Sequence, residues 1–98
     1  MKVSIHPEAL TEFEEAAAYY EGHQPGLGEQ FIVAIESAIQ GVIDFPDRWS
    51  VLEGRVHRRL VKVYPFAILY HFDGKSIYIL AIMHSHRKPA YWQSRSLG

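Results

Sequence analysis

Cysteine is absent from the 98 residues, which removes disulfide bridges, thiolate metal sites and cysteine nucleophiles together. No run approaches the roughly 18 apolar residues of a membrane span, and the opening Met1-Lys2-Val3-Ser4-Ile5-His6-Pro7 lacks the apolar stretch of a signal peptide. A soluble, cytoplasmic protein without membrane contact is therefore expected. Cations are scarce in the first half: residues 1–50 hold only Lys2 and Arg48 against nine carboxylates, a net charge of -7. The second half reverses this, with eight cations against Glu53 and Asp73, a net charge of +6. An overall charge of -1 thus conceals an acidic half joined to a basic half, a segregation that points to a macromolecular partner rather than a small metabolite.

What remains is enough for one core. At 48% hydrophobic and 13% aromatic, a chain of this length buries roughly two thirds of its unfolded surface, and residues 1–98 are expected to form a single domain. Val3 and Ile5 alternate with polar neighbours as in a short strand, and Pro7 suits the first turn of a helix. Leu10, Phe13, Ala17 and Tyr20 recur at helical spacing. Glu8, Glu12, Glu14, Glu15 and Glu21 occupy the rest of that helix and read as a solvated surface. Gly22-His23-Gln24-Pro25-Gly26 breaks it. A second stripe, Leu27, Phe31, Ala34, Ile35, Ala38, Ile39 and Val42, ends near Phe45-Pro46.

From Val56 the period changes to that of strands: Val56 to Tyr64, Phe66 to Phe72 and Ser76 to Met83, with Asp73-Gly74 as a two-residue hairpin signal. The fold class is α+β, in the order β-α-α-β-β-β, with a helical hairpin packed on a mainly antiparallel four-stranded sheet.

Arg58 and Arg59 are adjacent on a strand, so they point to opposite faces and only one can lie on the face left open by the helices. A guanidinium there donates paired hydrogen bonds to carboxylates or phosphates. The C-terminal stretch from His84 to Arg95 gathers His84, His86, Arg87, Lys88, Tyr91 and Trp92. Tyr91 and Trp92 read either as an anchor or base-stacking platform or as packing of the last turn onto the sheet edge. On the first reading Arg87, Tyr91 and Trp92 serve the target more than the fold. His84 and His86 share one side if the strand continues, yet their neighbours are cations rather than carboxylates, so no metal is expected. No serine triad or phosphate-cradling glycine loop is present, and no cofactor is called for.

These pieces resemble the RelE/ParE superfamily, the toxins of bacterial type II toxin-antitoxin modules, often described as plasmid stabilisation proteins. The resemblance rests on Tyr19-Tyr20-Glu21, on Pro25-Gly26-Leu27-Gly28 with Phe31 and Ile35-Glu36, on Pro46, Arg58-Arg59 and Tyr64-Pro65-Phe66-Ala67-Ile68-Leu69-Tyr70, and on the tail His84, Arg87, Pro89, Tyr91, Trp92. It implies a helical hairpin on a mainly antiparallel sheet, a growth-inhibiting activity, and a cognate antitoxin bound as a hetero-oligomer. RelE-like members are ribosome-dependent ribonucleases that cleave messenger RNA, whereas ParE-like members inhibit DNA gyrase. Cleavage requires a base for the 2'-hydroxyl, a cation for the phosphate and an acid for the leaving oxygen. The arginine that nuclease relatives carry after the basic pair corresponds to Ala67, and the group ending their last strand falls near Ser85, flanked by His84 and His86. Tyr91 stands where the nuclease branch has a tyrosine, and Glu53 is a candidate base. The ParE-like reading is favoured, with Arg58, Arg59, Arg87, Tyr91 and Trp92 contacting the target. The alternatives are a ribonuclease using His84 or His86, Arg87, Tyr91 and an arginine of the pair Arg58-Arg59, or an inactive homologue that binds its antitoxin.

Overall fold

The computed structural model describes residues 1–95. Strand β1 (Lys2–Ile5) leads into helices α1 (Pro7–His23) and α2 (Leu27–Asp44), followed by strands β2 (Ser50–Glu53), β3 (Val56–Leu60), β4 (Phe66–Phe72) and β5 (Ser76–His84). A short 3-10 turn, Gln93–Arg95, closes the described chain. The α+β class holds, but the sheet has five strands rather than four, in the order β1-β5-β4-β3-β2. The additional strand is β2. All four of its residues are exposed and its pairing to β3 shifts register between Val51 and Glu53, so it buries no alternating apolar face for a sequence pattern to reveal. Strand β1 runs parallel to β5, and the other pairs are antiparallel. The β4–β5 loop holds three residues, Asp73 to Lys75, rather than two. Gly74 takes the left-handed conformation there (φ 93), and the Asp73 carboxylate accepts from the backbone N–H groups of Lys75 and Ser76, each at 2.8 Å.

The helical hairpin is tied at its turn by Glu21. Its carboxylate accepts from the backbone N–H of Gly26 at 3.0 Å and of Gly28 at 3.0 Å, meeting donors that the start of α2 leaves unpaired. Gly28 also permits close helix contact: a Cβ there would lie 2.7 Å from the Ala17 carbonyl oxygen. On α1 the inward stripe is Ala9, Phe13, Ala16, Ala17 and Tyr20, while Leu10 turns outward. On α2, Phe31, Ile35, Ala38 and Val42 are buried, as the spacing predicts.

Two apolar layers result. The larger lies between the hairpin and one sheet face, where Ile68, Tyr70, Ile77, Ile79 and Ile82 meet the helices. The smaller lies on the opposite face, where Val56, Ala67, Leu69, Leu80 and Ala81 are covered by Trp92. Trp92 is 3% exposed. The segment after β5 is therefore a core element, correcting the expectation that it contributes little to folding: without it that sheet face would be bare.

Candidate functional site

The adjacent arginines separate as strand geometry requires. Arg59 points to the helix side, where its guanidinium lies over the Trp49 ring with Cζ 4.1 Å from the centroid and its Nε is buried without a hydrogen-bond partner. Trp49 is itself held by its indole N–H, which donates to the Gly41 carbonyl at 3.1 Å. Arg59 thus wedges the β2–β3 region under α2 through its planar, stackable head. Arg58 is exposed on the opposite face.

On that face two depressions meet. One, of about 330 Å³, is lined by Leu52, Glu53, Arg58, Arg87, Trp92 and others. The second, of about 270 Å³, includes Leu60, Tyr64 and Ala67. Arg58, Met83 and Ser85 border both, so together they form one groove running beside β3. Arg58 and Arg87 have no carboxylate within ion-pair distance among the described residues. Glu53, the acid bordering the groove, accepts from Gln93 Nε2 at 3.1 and 3.2 Å. It is the last residue of β2. Leu60, 60% exposed, adds an aliphatic surface.

The tail is held from below by a residue that the sequence presents as one more glutamate on a solvated helix. Glu12 reaches the end of β5, beyond the last residue paired with β1, where the backbone of Ile82 lacks a strand partner on that side. Its Oε1 accepts from Ile82 N–H at 3.0 Å and from Arg95 Nη1 at 3.0 Å. Its Oε2 accepts from the Tyr91 hydroxyl at 2.6 Å and from Arg95 Nη2 at 3.1 Å. Arg95 also donates to the Leu80 carbonyl at 3.1 Å, beside the bulge that breaks the β4–β5 register, and lies 3.4 Å from Glu8. The side chains of Arg95 and Glu12 are only 8% and 14% exposed. Burial, then the Glu12 hydrogen bond and charge, push the Tyr91 hydroxyl well above its ordinary value. Burial acts against the Arg95 cation, but the hydrogen bonds and charge of Glu12 outweigh it and hold that pKa above its usual range.

Arg87 stacks on the same tyrosine, its Cζ 3.9 Å from the ring centroid, and borders the groove. On the α1 side, a small depression of about 150 Å³ brings Arg87 and Tyr91 together with His84, Glu12 and Glu15. His84 is the last residue of β5, and its ring meets Phe66 edge-on on the helix side. The strand ends there and the chain turns, but the turn keeps His86 beside His84, their ring centroids 5.1 Å apart. The His86 N–H also donates to His84 Nδ1 at 3.0 Å. Among the described residues no group of three or more metal-ligating side chains is gathered.

The structure thus brings Arg58, Arg87 and Ser85 to the open groove, turns His84 and the Tyr91 hydroxyl toward α1, and places Arg59 and Trp92 in packing roles. Glu12 and Arg95 escaped sequence reasoning because their contacts join positions 83 residues apart. The one local signal was the lone cation Arg95 beyond the aromatic pair.

The fold sets a helical hairpin on one sheet face and a groove bordered by Arg58 and Arg87 on the other. Residues 3–89 match the family model of the ParE toxin of type II toxin-antitoxin systems, parDE, and the chain belongs to that family. Among solved structures it is similar to a chain of a chromosomal ParDE toxin-antitoxin system from P. aeruginosa, at 17% identity and a TM-score of 0.62, over 86% of this chain and 95% of that one. That likeness is one of fold. No curated protein matches the chain.

Proposed function

We propose that residues 1–98 form one toxin domain that arrests bacterial growth by binding DNA gyrase in the cytoplasm, and that a cognate antitoxin neutralises it in a hetero-oligomer. The carrying observation is the division of the candidate side chains between the two sheet faces. A ribonuclease needs cation, base and acid around one phosphate. Here His84, Arg87 and Tyr91 share the α1-side depression, but Arg58 lies apart from them in the open groove, which Arg87 also borders. The Tyr91 hydroxyl is occupied by Glu12, and Ala67 is buried where a second cation would be needed. Losing one donor from such a site typically costs about a hundredfold or more in rate. Surface contact makes no such demand, and a groove with two unpaired guanidiniums and an aliphatic border suits an acidic protein surface.

The acidic hairpin lies away from the groove and offers the antitoxin a separate surface of opposite charge. Antitoxin segments that order on binding cover large areas with short chains, and the basic groove then stays distinct from the acidic face that a cationic segment would seek. Controlled expression in a bacterial host tests the reading. Filamentation with a DNA damage response, relieved by the neighbouring small open reading frame, is the expected result. Growth arrest with site-specific message cleavage instead would promote the ribonuclease alternative.

A further inference from the structure

Arg87 reaches the groove from an irregular segment with no strand or helix of its own to hold it. A surface guanidinium on such a segment would ordinarily sample many rotamers, and ordering it on binding costs affinity. Here its position is set from beneath. The Glu12 carboxylate takes the Tyr91 hydroxyl at 2.6 Å, and the Tyr91 ring carries Arg87 at 3.9 Å on its π system. Arg95 lies against the same ring at 4.9 Å while bonded to both Glu12 oxygens. The ring is thereby fixed at its hydroxyl and pressed by a second cation.

The chemistry at Glu12 is specific. Its two oxygens receive four donors: Ile82 N–H, the Tyr91 hydroxyl and two guanidinium nitrogens. Only a group that accepts at both oxygens satisfies all four. A carboxamide fails in either orientation. With its nitrogen toward Tyr91 it opposes Arg95 Nη2 and can only reverse the bond to the hydroxyl, and with its nitrogen toward Ile82 it opposes the backbone N–H and Arg95 Nη1.

We propose that Glu12 is a positioning residue of the toxin surface: acting through Tyr91, its carboxylate holds the Arg87 guanidinium on the groove that Arg58 also lines. This inference rests on the groove being the target-contact surface. Glu12 itself touches no target, being on the far side of the tail. The arrangement also links the two faces of the molecule, since the residue that sets Arg87 belongs to the helical hairpin.

The test separates positioning from target contact. Nuclear magnetic resonance of the purified chain reads the upfield ring-current shift of the Arg87 side-chain protons over Tyr91. Loss of that shift in Glu12→Gln is expected, and an unchanged shift overturns the proposal. Because Glu12→Gln also weakens a largely buried ion pair, Tyr91→Phe is the gentler companion. It keeps the ring and removes the hydroxyl, and it too reduces the shift. Growth inhibition then gives the coupling. Glu12→Gln weakens it about tenfold in the wild-type background and has little further effect in Arg87→Ala, as expected of residues acting through one contact. Equal losses in both backgrounds would assign Glu12 a structural role and overturn the proposal. Full inhibition by Arg87→Ala would instead remove the groove reading, and with it the purpose of the clamp, while the ring-current shift still reports whether the clamp exists.

Discussion

Replacing Trp92 by alanine is expected to unfold much of the molecule's second layer. The indole is 3% exposed and covers Val56, Ala67, Leu69, Leu80 and Ala81. A buried tryptophan removes roughly 150–250 Å² from water, worth about 4–6 kcal/mol at about 25 cal/mol per Å². Measured truncations of large aromatic side chains cost about 3–5 kcal/mol, so the two routes agree. A domain of this size loses roughly 4–8 °C of melting temperature per kcal/mol, and Trp92→Ala is expected to melt at least about 12 °C lower. Trp92→Phe, which keeps most of the apolar surface, loses much less. Urea and thermal denaturation followed by circular dichroism give both values. Val33→Ala, on an exposed helix position, is the control and stays within about 0.5 kcal/mol. A loss below about 1 kcal/mol for Trp92→Ala, with a cooperative melt, would refute the assignment of the tail to the core and return Trp92 to the candidates for target contact.

The paired arginines should separate cleanly by assay. Arg58→Ala leaves the melting temperature within error and weakens growth inhibition, whereas Arg59→Ala, which empties the space against Trp49, costs roughly 2 kcal/mol through lost packing. Tyr70, fully buried, donates to the Pro46 carbonyl at 2.7 Å, and burial together with the Asp47 charge pushes its hydroxyl up to about 12 from 10. Its folded pKa exceeds the unfolded one, so the stability it contributes is intact below pH 10 and is lost as pH rises through 12. Tyr70→Phe costs about 1 kcal/mol at neutral pH and makes the alkaline limb of a stability-against-pH curve shallower. Val63, with φ 75 and 96% of its surface exposed, carries backbone strain of about 1–3 kcal/mol. Val63→Gly raises the denaturation midpoint despite glycine's entropic cost of about 0.5–1 kcal/mol, and an unchanged or lower midpoint would show the turn to be unstrained.

Helical periodicity made the hairpin legible, because Phe31, Ile35, Ala38 and Val42 repeat with the pitch of α2 and are all buried. The inner strands β4 and β5 were legible for a similar reason: their β-branched and aromatic runs suit burial on both faces. Strand β2 was not, since an exposed edge strand of four residues has no buried face to imprint on its composition. The alternation argument for Arg58 and Arg59 needed only that the strand exist, and the two residues do lie on opposite faces. Periodicity failed where the structure depends on contacts between distant positions. Glu12 looks like its neighbours Glu14 and Glu15 along α1, and only the folded chain brings Tyr91 and Arg95 to it. Trp92 was equally ambiguous, because an aromatic beyond the last strand reads the same whether it caps a sheet face or waits for a partner.

The central claim is inhibition by contact rather than by cleavage, and a gyrase supercoiling assay with the purified chain tests it directly. Concentration-dependent loss of supercoiling with trapped cleavage complexes, weakened in Arg58→Ala, is the expected result. Unimpaired supercoiling, beside primer-extension evidence of message cleavage on translating ribosomes that vanishes in His84→Ala, would contradict it.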